Sequence, residues 1–222
     1  MSQALVVGAG PGLSASLAHG LAARGHEVVL AARDPGDLDA LVEEIGGRAV
    51  ACDAREPNDM ARLFDGLDDL AVAVYNPSAR TRAPIAELTS AQAENALMVS
   101  AFGAFLMAHH AVPLMRRRAD GPKGKGALLF TGASAGVKGF AQSAAFAMGK
   151  FALRGLCQSL ARELHPQGIH VGHFVIDGAI GRSDDDARLH PDAIADTYMH
   201  VLDQHRSAWS WEIELRPWVE SF

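Results

Sequence analysis

Residues 6–18, "VVGAGPGLSASLA", decide how the rest of the chain is read. A short β-branched run meets three glycines at alternate positions, Gly8, Gly10 and Gly12, and passes at Leu13 into a segment with helical spacing. A turn of this kind reverses tightly and leaves bare backbone at a helix start. Phosphate oxygens can then approach the amides, where the helix dipole favours their charge. Glycine triplets occur in many plain turns, but this one closes the first strand and opens a strand–helix series. It therefore reads as a dinucleotide phosphate site built on Gly8, Gly10, Gly12 and Leu13.

Working outward, short apolar runs alternate with helical stretches. "HEVVLAA" (26–32), "RAVACD" (48–53), "LAVAVYN" (70–76), "GALLFTG" (126–132), "IHVGHFVID" (169–177) and "WEIEL" (211–215) read as further strands. Helices are expected over 35–47, 56–67, about 90–118, 143–168 and near 191–205, the first with Leu38, Leu41, Val42 and Ile45 on one face. Apolar strands alternating with helices predict an α/β fold, a doubly wound parallel sheet of the Rossmann kind with right-handed crossovers. No repeat or linker interrupts residues 1–222, which read as a single domain with an acidic, turn-rich substrate loop at about 178–192.

Composition narrows the function classes. The 222 residues are 49% hydrophobic and 21% charged, with a net charge of −6, so no basic field exists to attract nucleic acid or an anionic membrane. The run Arg116–Arg118 reads as a helix end. Cys52 and Cys157 lie far apart with no CxxC, which suggests neither zinc nor a redox pair but buried reduced thiols in a cytoplasmic protein. The N-terminus lacks the features of a signal peptide. Residues 96–115 carry no Asp, Glu, Lys or Arg, yet two histidines, a serine and Pro113 make them a core helix rather than a membrane span.

The second strand ends Ala31-Ala32-Arg33-Asp34. An acidic residue here accepts from a ribose 2′-hydroxyl, whereas an arginine pairs with a 2′-phosphate. Arg33 comes first and favours NADP(H) over NAD(H), and Asp34 reads as the N-cap of the helix beginning at Pro35.

In "SAAFAMGKFAL" (143–153) a single cation, Lys150, stands in an apolar helix. Such a lysine either lays its stem along the hydrophobic surface or points into a site. Five stretches taken together decide between these: "VVGAGPGLS", "CDA" (52–54), "YNPSA" (75–79), "LLFTGASAG" (128–136) and "FAMGKFAL" (146–153). In this order and spacing they resemble the short-chain dehydrogenase/reductase family over nearly the whole chain. The resemblance implies a Rossmann fold, a nicotinamide dinucleotide, a small-molecule substrate, and a homodimer or homotetramer built through the two long helices. It implies that Asp53 holds the adenine, Asn76 lies along the cofactor near its ribose, and Lys150 binds the nicotinamide ribose.

The same comparison exposes losses. Active members of the family place a tyrosine four residues before this lysine, and that position is Phe146, on the same helix face as Lys150. A phenylalanine has no proton for the alkoxide that carbonyl reduction leaves. The substrate-orienting serine becomes Ala133, with Ser134 one residue later. The helix asparagine behind the proton relay becomes Ser100, the Pro-Gly after the sixth strand becomes Asp177-Gly178, and the last glycine of the turn becomes Ser14. Of the four polar catalytic positions only Lys150 remains. "HFVIDGAI" (173–180) and "ELRPWVESF" (214–222) are similar to a divergent branch of the family that lacks the tyrosine.

Three readings follow. One is an NAD(P)-dependent oxidoreductase of a small organic molecule with a non-standard proton source, for which Ser134, Asp177, Tyr75 or a water held by Lys150 are candidates; His173 reads as a buried strand histidine. A second is a catalytically silent module that binds or senses dinucleotide or scaffolds a partner. A purely structural subunit is disfavoured by the intact glycines and Lys150.

Overall fold

The strands assemble in the order β3-β2-β1-β4-β5-β6-β7, every pairing parallel, in a computed structural model that describes residues 1–220. Ser221 and Phe222, the end of the "ELRPWVESF" segment, lie outside the described residues. The strands are β1 (Gln3–Val7), β2 (Glu27–Ala32), β3 (Arg48–Ala51), β4 (Leu70–Tyr75), β5 (Gly126–Thr131), β6 (Ile169–Ile176) and β7 (Glu212–Leu215). The chain runs outward from β1 to β3 and then returns to place β4 on the other side of β1. The strand order therefore reverses between β1 and β4, where doubly wound sheets open a crevice at the carboxyl ends of their strands.

Helices cover both faces: α1 (Leu13–Ala23), α2 (Asp39–Ile45), α3 (Pro57–Asp65), α4 (Ser90–Leu97), α5 (Gly103–Arg117), α6 (Ala144–Leu164) and α7 (Pro191–Asp203). Alternation along each strand divides the core in two. Leu5, Val7, Tyr75, Leu128 and Phe130 pack with α3, α5 and α6, whereas Val6, Val74, Leu129 and Phe174 pack with α1 and α7. All residues of β4 and β6 are buried, as expected for central parallel strands covered twice. Each large aliphatic side chain so buried contributes roughly 1.5–3 kcal/mol. The predicted face Leu38, Leu41, Val42 and Ile45 meets the α1 side of the sheet, although Pro35–Leu38 form a 3₁₀ turn ahead of α2. The run Ser90–Arg117 is long and apolar enough to cross a membrane by length and composition. Here it packs on the sheet, burying Leu106, Met107, Ala111 and Met115.

That run departs from the sequence expectation of one regular helix. Met98–Phe102 form a π-helical turn between α4 and α5. Its cause is tertiary. The Tyr75 hydroxyl donates to the Val99 carbonyl at 2.5 Å, and a Cβ at Gly103 would stand 2.1 Å from that hydroxyl. The widened turn accommodates the phenol, and Gly103 lets the helix press against it.

Candidate functional site

The glycine turn closes β1 as the sequence indicates. Gly8 has φ +79°, and a Cβ there would meet the Pro77 ring and nitrogen at 2.7–2.8 Å, so two requirements select glycine. Gly10 and Gly12 behave differently: a Cβ on either would project into open space. Gly12 is the N-cap of α1, and no side chain caps the helix. Its first amides are therefore free for an anion. Leu13 contributes backbone alone, because its side chain is buried among the core residues on the α1 side. Ser14, standing where the family has glycine, donates from Oγ to the Gly8 carbonyl at 2.9 Å and accepts from Asn76 Nδ2 at 2.7 Å. Asn76 is thus turned toward the glycine turn.

From this turn a cleft of about 730 Å³ extends past Gly8, Gly10, Arg33, Asp34, Asp53 and Asn95. Asp34 caps the Pro35–Leu38 turn, accepting from the Gly36 amide at 3.2 Å, which matches its reading as an N-cap. Arg33 is exposed on the rim and makes no ion pair or side-chain hydrogen bond among the described residues. Asp53 is engaged. Arg55 binds its carboxylate (Nη2 to Oδ2 2.7 Å) and reaches across to Asn95 Oδ1 at 3.0 Å. The Arg55 hydrogen bond holds the Asp53 carboxyl below the usual carboxylate range. Sequence reading missed Arg55 and Asn95. Their only signal is Arg55's spacing of two from Asp53, and Asn95 is forty residues away. The open Gly10–Gly12 cradle, the uncapped α1 start and the unpaired Arg33 fit a dinucleotide carrying phosphate.

The region at the carboxyl edge of β5, outside the lining of that cleft, is closed. Lys150 is 1% exposed, and its Nζ donates to the Thr131 carbonyl at 2.8 Å. It is therefore no surface lysine. Burial lowers its pKa to about 8, offset only in part by the nearby Cys157. Phe146, one turn earlier on α6, is nearly buried, and its ring centroid lies 6.0 Å from Lys150 Nζ. On the outer side Arg80 Cζ stands 5.8 Å from the same ring. Ser100 sits in the π turn, fully buried against α6. A Cβ at Gly149 would lie 3.0 Å from Ser100 Oγ, which has no hydrogen-bond partner among the described residues. Ser134 lies in a 3₁₀ turn (Ser134–Gly136) that packs on α6 at Lys150. Its carbonyl is occupied by the amides of Val137 and Lys138.

Two proton-donor candidates are engaged elsewhere. The Tyr75 hydroxyl is sealed in the core on Val99, and burial raises its pKa far above the ordinary value. Asp177 is held between Lys138 (3.2 Å) and Arg216 (3.0 Å). His173 is a buried strand histidine, as read. Its Nδ1 meets Glu212 at 3.0 Å, Glu212 also binds Arg154, and burial lowers the imidazole pKa. Residues 178–192 fold back on themselves, the Gly181 amide donating to the Leu189 carbonyl and the Leu189 amide to the Ala179 carbonyl, each at 2.9 Å.

Comparison with known proteins agrees with this geometry. The family described as short chain dehydrogenase matches residues 2–180. Sorbitol-6-phosphate 2-dehydrogenase of Escherichia coli K12 is 30% identical over 184 residues, 78% of this chain and 70% of that protein. Human 17-beta-hydroxysteroid dehydrogenase type 1 is 32% identical over 137 residues, 62% of this chain, which spans only 38% of that protein's length. Among solved structures, a short-chain dehydrogenase from Rhodopseudomonas palustris superposes with a TM-score of 0.85 at 33% identity, covering 98% of this chain and 99% of the other. A metagenomic short-chain oxidoreductase in complex with NADP gives 0.81 at 26% identity over 97% of both.

Proposed function

From the premise that the chain belongs to the short-chain dehydrogenase family, we propose that it is an NADP(H)-dependent oxidoreductase of a small organic molecule whose chemistry does not use a tyrosine acid. The observation that carries this reading is the cradle: free amides at the α1 start, open space at Gly10 and Gly12, and an unpaired Arg33 on the same cleft. The bound nicotinamide supplies or accepts the hydride. In this reading Gly10, Gly12 and the amide of Leu13 hold the phosphates, Arg33 selects the 2′-phosphate, and Lys150 holds the nicotinamide end. Asp53, steadied by Arg55, borders the adenosine part of the cleft.

The proton is the part that differs. Phe146 fills the tyrosine position without a hydroxyl, and Ser100 and Ser134 take the places at or beside the other lost polar groups. Lys150 Nζ, with a pKa near 8 from burial, is the proton-bearing group beside Phe146 and is the reservoir in this reading. Substrates that leave no strongly basic anion, an activated C=C bond that gives an enolate or an imine already protonated to the iminium, suit such a site.

A second reading, a silent module that binds or senses dinucleotide or serves as a scaffold, is favoured by the same Phe146 and by Tyr75 and Asp177 being engaged elsewhere. Titrating the apo-protein with NADPH and NADH, then screening ketones, enones and imines for NADPH consumption, separates the two. Binding with turnover supports the enzyme, and binding with none supports the module. No binding of either dinucleotide refutes the oxidoreductase and leaves only the scaffold form of the second reading. The exposed Phe105, Met148 and Phe151 on α5 and α6 support self-association as a homodimer or homotetramer, and the two buried free thiols support a cytoplasmic setting.

A further inference from the structure

The loop after β4 carries two arginines, Arg80 and Arg82, both exposed and without an ion pair or side-chain hydrogen bond among the described residues. Only Arg80 is directed at the reactive end, its guanidinium carbon 5.8 Å from the Phe146 ring centroid. A guanidinium lying on an aromatic face keeps its N–H donors, because the ring interacts with the plane of charge rather than with the fork. The loop is anchored where it needs to be for this contact. The Ala83 amide donates to the Gln142 carbonyl at 2.9 Å, and Gln142 holds φ 60°, a left-handed conformation unusual for a residue with a side chain. The segment before α6 is thus bent out of its easy conformation at the residue that ties down the arginine loop.

Of the cations around this place, Arg80 is the one that is exposed, without an ion pair among the described residues, and over the Phe146 ring. Lys138 is neutralised by Asp177 at 3.2 Å, and Lys150 is turned inward onto the Thr131 carbonyl. The loop 178–192 carries Asp184, Asp185, Asp186 and Asp192 against Arg182 and Arg188, a net −2 that disfavours multiply charged anions. We propose that Arg80, held over the Phe146 ring, is the specificity-determining residue of the substrate site and pairs with a monoanionic carboxylate on the substrate. The inference rests on the oxidoreductase reading, since it takes Phe146 to border the substrate. It gives the position left by the tyrosine a use: the ring becomes the platform for an anion-binding fork.

The test is a ligand-observed NMR titration of acetate, butanoate and hexanoate, each beside its primary amide, and of inorganic phosphate, with and without NADPH. The acids should bind about tenfold more tightly than the amides, the gain expected of a charge-assisted bidentate pair. Arg80→Ala should erase that preference, Arg80→Lys should keep part of it, and Arg82→Ala should keep all of it. Arg80 is exposed, so its variants fold, and their NADPH affinity should match that of the parent. The inference is overturned if acids and amides bind alike or not at all, or if the preference survives Arg80→Ala. Tighter binding of phosphate than of any carboxylate also overturns it. If the parent protein fails to bind NADPH, the oxidoreductase reading fails instead. That outcome is scored separately from the carboxylate preference, which is read without cofactor as well.

Discussion

The two halves of the candidate site are built on opposite plans. At the β1–α1 turn the donors are free and face open space: the α1 amides, the Gly10–Gly12 surface and Arg33. At the β5–α6 end the polar groups are folded inward. Lys150 is spent on a backbone carbonyl, Ser100 is buried, Tyr75 is sealed, and a phenyl ring stands where a phenol would give a proton. In the proposed reading, binding and proton transfer are separable, because different strands and different loops carry them. A chain can keep the first while the second is rebuilt or lost.

The largest effect that probes this division is at Gly8. Gly8→Ala combines a positive φ with a 2.7 Å approach to Pro77, and should lower unfolding free energy by about 3 kcal/mol, read from urea midpoints. Gly10→Ala meets nothing within 4 Å. It should leave stability within about 0.5 kcal/mol while weakening NADPH binding about tenfold or more. If its affinity is unchanged, the cradle is not where the phosphates lie and the comparison breaks.

Phe146→Tyr comes next. Restoring a phenol beside Lys150 should raise NADPH oxidation on simple aldehydes and ketones by about 10²-fold, the usual contribution of a placed general acid. A variant that binds NADPH and still does nothing would move the reaction away from this ring.

Lys150→Met sharpens the contrast through stability. The lysine pKa falls from 10.5 to about 8 on folding. Below about pH 8 the group is charged in both states, and the cost of burying that charge is fully present. Between about 8 and 10.5 the folded state releases its proton first, so stability rises with pH, and above that range the cost is gone. Methionine at this position should therefore stabilise the fold by about 2 kcal/mol at pH 7, after allowing for the lost bond to Thr131, with the gain vanishing near pH 10.5. Thermal unfolding across pH measures this. The smallest effect is at the rim: Arg33→Ser should weaken NADPH about tenfold and leave NADH unchanged.

The sequence made legible whatever depends on neighbours along the chain. The alternation of strands and helices, the turn at Gly8, the cap at Asp34 and the burial of His173 all follow from local pattern, and the sheet has the parallel, doubly wound form expected. What escaped depends on partners far apart. The π turn differs from a regular helix by one residue per turn, too little to alter the periodicity, and its causes, Tyr75 and Gly103, meet only in the fold. Arg55 joining Asp53 to Asn95, Glu212 joining His173 to Arg154, and Arg80 reaching Phe146 are likewise products of topology.

Ser14 carries one more consequence. By bonding both the Gly8 carbonyl and Asn76, it fastens the glycine turn to the next central strand while the protein folds. The three-glycine segment is the part of the chain with most freedom to lose, and that loss is settled before any ligand arrives. In the proposed reading, a dinucleotide reaching the turn gives up its own motion and little of the protein's. The heat of binding should then reflect the contacts formed, hardly masked by the ordering of a loop.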